Sequence, residues 1–156
     1  MVSIFGNRWF RYALQRAQGY STTELLKGLM TNILLVGAGG FIGSVLRYLV
    51  SGYVQQSANR LDFPFGTLAV NIIGCFIIGL LAQFGDKYGT FSNESRAFLV
   101  IGVLGGFTTF SSFGNDTVNL IRQDFVLNAV ANVGANVIIG LLAVWLGRTV
   151  GHLIWR

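Results

Sequence analysis

Apolar residues in this chain fall into four long runs separated by short polar links. The first run extends from about Leu29 to Val54 and is interrupted only by Arg47. The second, from about Phe65 to Phe84, carries no charge. The third, from about Ala97 to Ile121, contains Asp116, and the fourth, from about Val126 to Val150, contains Arg148 near its end. A helix crosses the hydrocarbon core of a bilayer in about 20 mostly apolar residues. Each run therefore predicts one transmembrane helix, and the fold class is all-α and integral to the membrane. The links Gln55–Pro64, Gly85–Arg96 and Arg122–Phe125 hold nearly all other charges. The only proline, Pro64, stands just before the second run, where a missing N–H costs least.

Composition agrees with lipid as the solvent. The chain is 53% hydrophobic and 11% charged, against about 25% charged in soluble domains, so a water-facing surface can hardly be built. Glycine is abundant, at 21 residues. Small residues let helix backbones approach closely in lipid, and Gly66, Gly74 and Gly79 can provide such surfaces.

Net charge is +5, of which residues 1–28 contribute +3 through Arg8, Arg11, Arg16 and Lys27 against Glu24. The basic balance thus belongs largely to an N-terminal extension, residues 1–28, ahead of a four-helix domain at 29–156. No basic face on a folded domain is visible, which argues against nucleic-acid binding. Within the extension, Arg8–Ala17 places Trp9, Phe10, Ala13, Leu14 and Ala17 on one side of a helix. An interfacial amphipathic helix, a transit-like peptide and a disordered extension from an upstream start codon all fit it. Cys75 and His152 are single and far apart, so neither a disulfide nor a metal site follows from them.

Charges in the links nearly cancel. Arg60 offsets Asp62, Arg122 offsets Asp124, and Lys87 with Arg96 offsets Asp86 with Glu94. The preference for positive loops inside the cell has little to act on beyond the extension. A weakly biased protein of this kind can insert either way up. That permits an antiparallel homodimer, the two-chain version of the inverted repeats of many transporters.

One motif points elsewhere. Gly37, Gly40 and Gly43 follow an apolar run with the spacing of a dinucleotide-binding turn, and Asp62 lies about twenty residues on. A doubly wound fold needs alternating strands and amphipathic helices, whereas the later runs are apolar and of helix length. No nucleotide is expected, and the glycines read instead as a packing ridge at i, i+3, i+6.

The informative segment is Gly102–Asp116, GVLGGFTTFSSFGND. Gly105-Gly106, the β-branched pair Thr108-Thr109 and the hydroxyl pair Ser111-Ser112 weaken a helix near its midpoint. A break in lipid frees N–H and C=O groups, and such backbone is tolerated where it is buried in protein or lines an ion path. A packing kink with back-bonded hydroxyls is the competing reading. Phe110 and Phe113 lie three apart and can share a face. Aromatic rings have positive edges, so interleaved with Thr109, Ser111 and Ser112 they can face a small dehydrated anion; core or lipid packing is the alternative. Asn71 and Thr67 share a face of the charge-free second helix, and Asn132 and Asn136 share one on the fourth. Neutral donors suit an anion that must also leave, and equally suit interhelical hydrogen bonds. Arg47 is costly at depth and hence a functional suspect, unless it snorkels to the interface.

The stretches GGFIGSVLRY (39–48), FPFGTLAVNIIG (63–74) and GGFTTFSSFGND (105–116), with NVGAN at 132–136, resemble the CrcB/Fluc family of fluoride channels. The resemblance covers the chain from about Met30 onward. It implies an antiparallel dimer with two fluoride pores in the cell inner membrane and no enzymatic activity. It also implies a central sodium ion held by the backbone carbonyls of Gly105 and Thr108. Phe110 and Phe113 would line the pores, Asn71 would be a pore donor, and Arg47 would shape an anion-attracting vestibule. Ser112 stands where the family often has threonine, Asp116 where glutamate is common, and Asn136 where some relatives place serine, with Gly140 and Val144 below it. The implied function is passive export of cytoplasmic fluoride. The rival is a small dual-topology proton-coupled multidrug transporter, for which Asp116 is the one membrane carboxylate.

Overall fold

The computed structural model describes residues 21–58, 63–89 and 91–155. The segment Arg8–Ala17 lies outside the described residues. Among the described residues, four helical spans are long and apolar enough to cross a membrane: Thr22–Ser57, Phe65–Tyr88, Asn93–Arg122 and Val126–Ile154.

All four runs become helices, and each extends beyond the apolar run at one end or both. The reason is that caps, not hydropathy, end a helix. Ser21 starts the first by accepting a hydrogen bond from the Thr23 N–H, with Glu24 in the first turn, both favourable at a positive helix N-terminus. Residues 22–28, assigned above to the extension, thus continue the first span. Ser92 caps the third by accepting from the Ser95 N–H. The second ends at Gly89, whose φ of 95° an L side chain would resist. The third ends in a Schellman turn: the Phe125 N–H reaches the Leu120 carbonyl, the Asp124 N–H reaches that of Ile121, and Asp124 adopts a left-handed φ of 62°. Gln55 holds the start of the second helix, donating to the Phe63 carbonyl and accepting from the Gly66 N–H.

Packing runs in two pairs. The first span lies along the first half of the third, and the second lies along the fourth. Glycine makes both approaches possible. A Cβ at Gly39 or Gly43 would run into the carbonyl of Phe98 or Val103, and one at Gly106 would meet the Gly40 carbonyl. A Cβ at Gly79 would strike the Val144 carbonyl, and one at Gly147 that of Phe76. The ridge of the first span therefore uses Gly39 and Gly43, spaced by one helical turn, rather than the i, i+3, i+6 set. Gly37 has nothing within 4 Å.

Two stretches wind as π-helix, Arg96–Leu104 and Ala135–Ile139. After the short helix Gly105–Phe107 the backbone is extended at Thr108 (φ −87°, ψ 159°) and Thr109 (φ −151°, ψ 109°), and helix resumes at Phe110–Arg122. The irregular residues thus sit inside the third span, beside the second and fourth.

Candidate functional site

Thr109 organises the site. It is the N-cap of Phe110–Arg122, its Oγ1 accepting from the Ser112 N–H at 3.1 Å. The same hydroxyl donates to Ser112 Oγ at 3.0 Å and lies 3.3 Å from Ser111 Oγ. Its backbone is met by Asn71 of the second span. Asn71 Oδ1 accepts from the Thr109 N–H at 2.9 Å, and Asn71 Nδ2 donates to the Thr109 carbonyl at 3.2 Å. The first of these two hydrogen bonds gives the Thr109 N–H the acceptor that an α-helix would otherwise supply. In a continuous helix the Thr109 N–H would reach the Gly105 carbonyl, and the Ser112 N–H that of Thr108. Here both donors go to side chains, so the Gly105 and Thr108 carbonyls lose their helical partners.

The Thr108 carbonyl has a substitute in Arg47, whose guanidinium donates to it at 3.3 Å. Snorkelling is thus not the whole account of Arg47, because its head group is tied to the middle of the third span. The Thr108 side chain donates back to the Leu104 carbonyl, and its methyl occupies the space that a Cβ at Gly74 would need. Gly105 is different. It is exposed on the isolated chain, and an added Cβ there would meet nothing nearer than the Val100 carbonyl at 3.8 Å.

Phe110 and Phe113 have ring centroids 5.3 Å apart, tilted by 56°. Phe110 is 82% exposed. Together with Asn71, Gly105, Thr108 and Asn136 they line an open cavity of about 440 Å³. A second cavity, about 290 Å³, also touches Thr109 and is lined by Arg47, Thr67 and Ser112 with Ser44 and Tyr48. Thr67 donates to Asp116 Oδ2 at 2.7 Å. Both face a polar hollow of about 430 Å³, shared with Gln55, Asn119 and Gln123.

The residues singled out from sequence therefore separate into two groups that meet at Thr109. Asn71, Gly105, Thr108, Phe110, Phe113 and Asn136 share one cavity. Arg47, Thr67 and Ser112 share the other, and Ser111 is exposed beside Thr109. Asn136 Oδ1 accepts from Asn71 Nδ2 at 2.9 Å. Both amide hydrogens of Asn71 are thereby engaged, and an anion binding there has to displace one of these bonds. Two contributors carry no signal of their role in the sequence. Asp116 stands out there as a family-motif position and as a membrane carboxylate, but not as the partner of Thr67. Thr117 lies one turn beyond Phe113, and its hydroxyl accepts from Asn132 Nδ2 at 2.9 Å.

Comparison with known proteins places this arrangement in a family. The model of the CrcB-like (camphor resistance) family matches residues 34–148. The fluoride-specific ion channel FluC 3 of Methanosarcina barkeri is 46% identical over 121 residues, covering 78% of this chain and 90% of that protein. The fluoride-specific ion channel FluC of Rhizobium meliloti is 50% identical over 119 residues, covering 76% and 94%. The one from Agrobacterium fabrum is 47% identical over 123 residues, covering 79% and 98%. With every residue of the site inside the matched region, this chain belongs to the CrcB-like family of multi-pass membrane proteins.

Proposed function

We propose that the chain is a fluoride-selective ion channel that lowers cytoplasmic fluoride by passive export across the cell inner membrane. The observation that carries this reading is the cavity in which tilted phenylalanine rings stand beside neutral amide and hydroxyl groups. Ring edges are electropositive, and neutral donors bind a partly dehydrated anion without holding it. The names of relatives sharing nearly half their residues support the same ion.

The working unit is an antiparallel homodimer. Phe110, Ser111 and Gly105 are exposed on the isolated chain, and polar, irregular backbone facing lipid is costly. A second, inverted copy would cover it and complete two pores. Nearly neutral links allow both insertions. Thr108 and Thr109 then act as a break in the third helix that belongs to the ion path rather than to packing alone.

A sodium ion at the centre of the dimer fits the donor set. The Gly105 carbonyl is a hard neutral oxygen without its helical partner, and the Thr108 carbonyl keeps one lone pair beside its bond to Arg47. Two such pairs from inverted copies would offer four oxygens, suited to a monovalent hard cation. Bound there, sodium would supply a fixed positive charge between the pores. Arg47 adds a second one at the adjoining cavity, drawing anions toward Thr109.

Fluoride efflux from liposomes, followed with an electrode, tests the proposal. Vesicles carrying the chain should release fluoride rapidly and retain chloride. Equal chloride release would overturn selectivity, and proton-driven uptake of organic cations would favour the transporter reading.

A further inference from the structure

The bonds at Thr109 belong to a longer chain. From Thr109 N–H the donors run to Asn71 Oδ1, then from Asn71 Nδ2 to Asn136 Oδ1. Asn136 Nδ2 donates to Asn132 Oδ1 at 3.0 Å and also to the Asn132 carbonyl. Asn132 Nδ2 donates to Thr117 Oγ1 at 2.9 Å, and the Thr117 hydroxyl donates to the Phe113 carbonyl at 2.8 Å. Asn132 is wholly buried, at 0% exposure. The relay leaves the third span beside Phe110, crosses the second and fourth, and returns at Phe113.

The direction of this relay is not free. A backbone N–H only donates, and a backbone carbonyl only accepts. Thr109 therefore forces Asn71 to present oxygen. At the far end the single Thr117 hydrogen is spent on the Phe113 carbonyl, so Thr117 can only accept from Asn132. Both ends dictate the same orientation for all three amides. Flipping any one of them would set two donors or two acceptors face to face, and at Asn132, which is wholly buried, no water could make good the lost bond. The π-helical turn Ala135–Ile139 carries Asn136 at the link between Asn71 and Asn132.

We infer that Thr117 and Asn132, which line neither cavity, are positioning residues that fix the extended backbone at Thr109 and the spacing of the Phe110–Phe113 ring pair through this one-way amide relay. The significance of the ring pair for transport rests on the fluoride reading, but the relay itself does not. Thr117→Val keeps the shape of the side chain while removing the acceptor for Asn132 and the donor to Phe113. Thr117→Ser keeps the hydroxyl.

The test uses the full chain in detergent micelles and in liposomes. Hydrogen–deuterium exchange, read by mass spectrometry, compares a peptide covering residues 105–113 with a distant one covering 140–150. Thr117→Val should speed exchange in the first peptide about tenfold, the effect of losing one hydrogen bond's worth of protection, and leave the second unchanged. Fluoride efflux should fall in parallel, and Thr117→Ser should restore both. Exchange in residues 105–113 that matches the unaltered chain would overturn the inference. So would an increase spread equally over both peptides, which would mark Thr117 as a packing residue only. If the unaltered chain passes no fluoride, the transport reading fails, and the exchange comparison still decides the relay.

Discussion

The guanidinium of Arg47 and the carbonyl of Thr108, sixty-one positions apart in sequence, are joined by a 3.3 Å hydrogen bond inside the membrane span. The contact gives Arg47 two separable effects, a donor to a freed carbonyl and a charge beside an anion cavity. Arg47→Gln retains a donor and removes the charge. Fluoride efflux should then fall about tenfold, as expected when a steering charge is lost. Thermal stability in detergent should change by less than about 1 kcal/mol. Efflux equal to that of the unaltered chain would show that the charge does not steer the ion.

Phe110→Ile and Phe113→Ile each keep the position apolar and remove the polarised ring edge. Fluoride efflux should drop at least about tenfold in either variant, in keeping with the energy of an oriented aromatic contact. Size-exclusion profiles should remain those of the folded protein, since Phe110 is 82% exposed on the chain and adds little to its core. Undiminished flux in both variants would assign the rings to packing.

Two glycines should respond in opposite ways. Gly43→Ala would drive a Cβ into the Val103 carbonyl, parting the first and third spans at a cost of about 1–3 kcal/mol. Its melting temperature should fall clearly. Gly105→Ala has room within the chain and should shift protomer stability by no more than about 0.5 kcal/mol. Its fluoride flux should nevertheless fall, because the second copy would meet that surface. Normal flux from Gly105→Ala would argue against Gly105 facing a partner.

Asp124 holds a left-handed φ of 62° in the turn joining the third and fourth spans. A β-branched residue tolerates that conformation poorly. Asp124→Val should destabilise the fold by about 1–2 kcal/mol, whereas Asp124→Gly should leave the melting temperature unchanged or slightly higher. Heating in detergent followed by size exclusion would measure both.

The spans were legible in sequence because lipid leaves little choice: an apolar run of that length must satisfy its own backbone, and a helix does so. Their ends were less legible, since Ser21, Ser92 and Asp124 act through local hydrogen bonds that hydropathy does not register. The hydroxyls of Thr109, Ser111 and Ser112 could be singled out because polar groups stand out against an apolar run. Their connection to Asn71 could not, because it spans 38 residues and depends on how the second span packs on the third. The glycine ridge shows the same limit. Spacing alone points to Gly37, Gly40 and Gly43, and the close approach of the Phe98 and Val103 carbonyls on the third span selects Gly39 and Gly43 instead. The π-helical turns Arg96–Leu104 and Ala135–Ile139 left no trace in composition.

The first helix runs for 36 residues, about 54 Å at the usual rise, against a hydrocarbon layer of about 30 Å. Its opening turns, residues 21–31, are exposed on the isolated chain. In the proposed inverted pair, one of these masts would rise on each side of the membrane. An epitope attached ahead of Ser21 would then be reachable by antibody from the inside and the outside of the same sealed vesicle, marking both faces with one sequence.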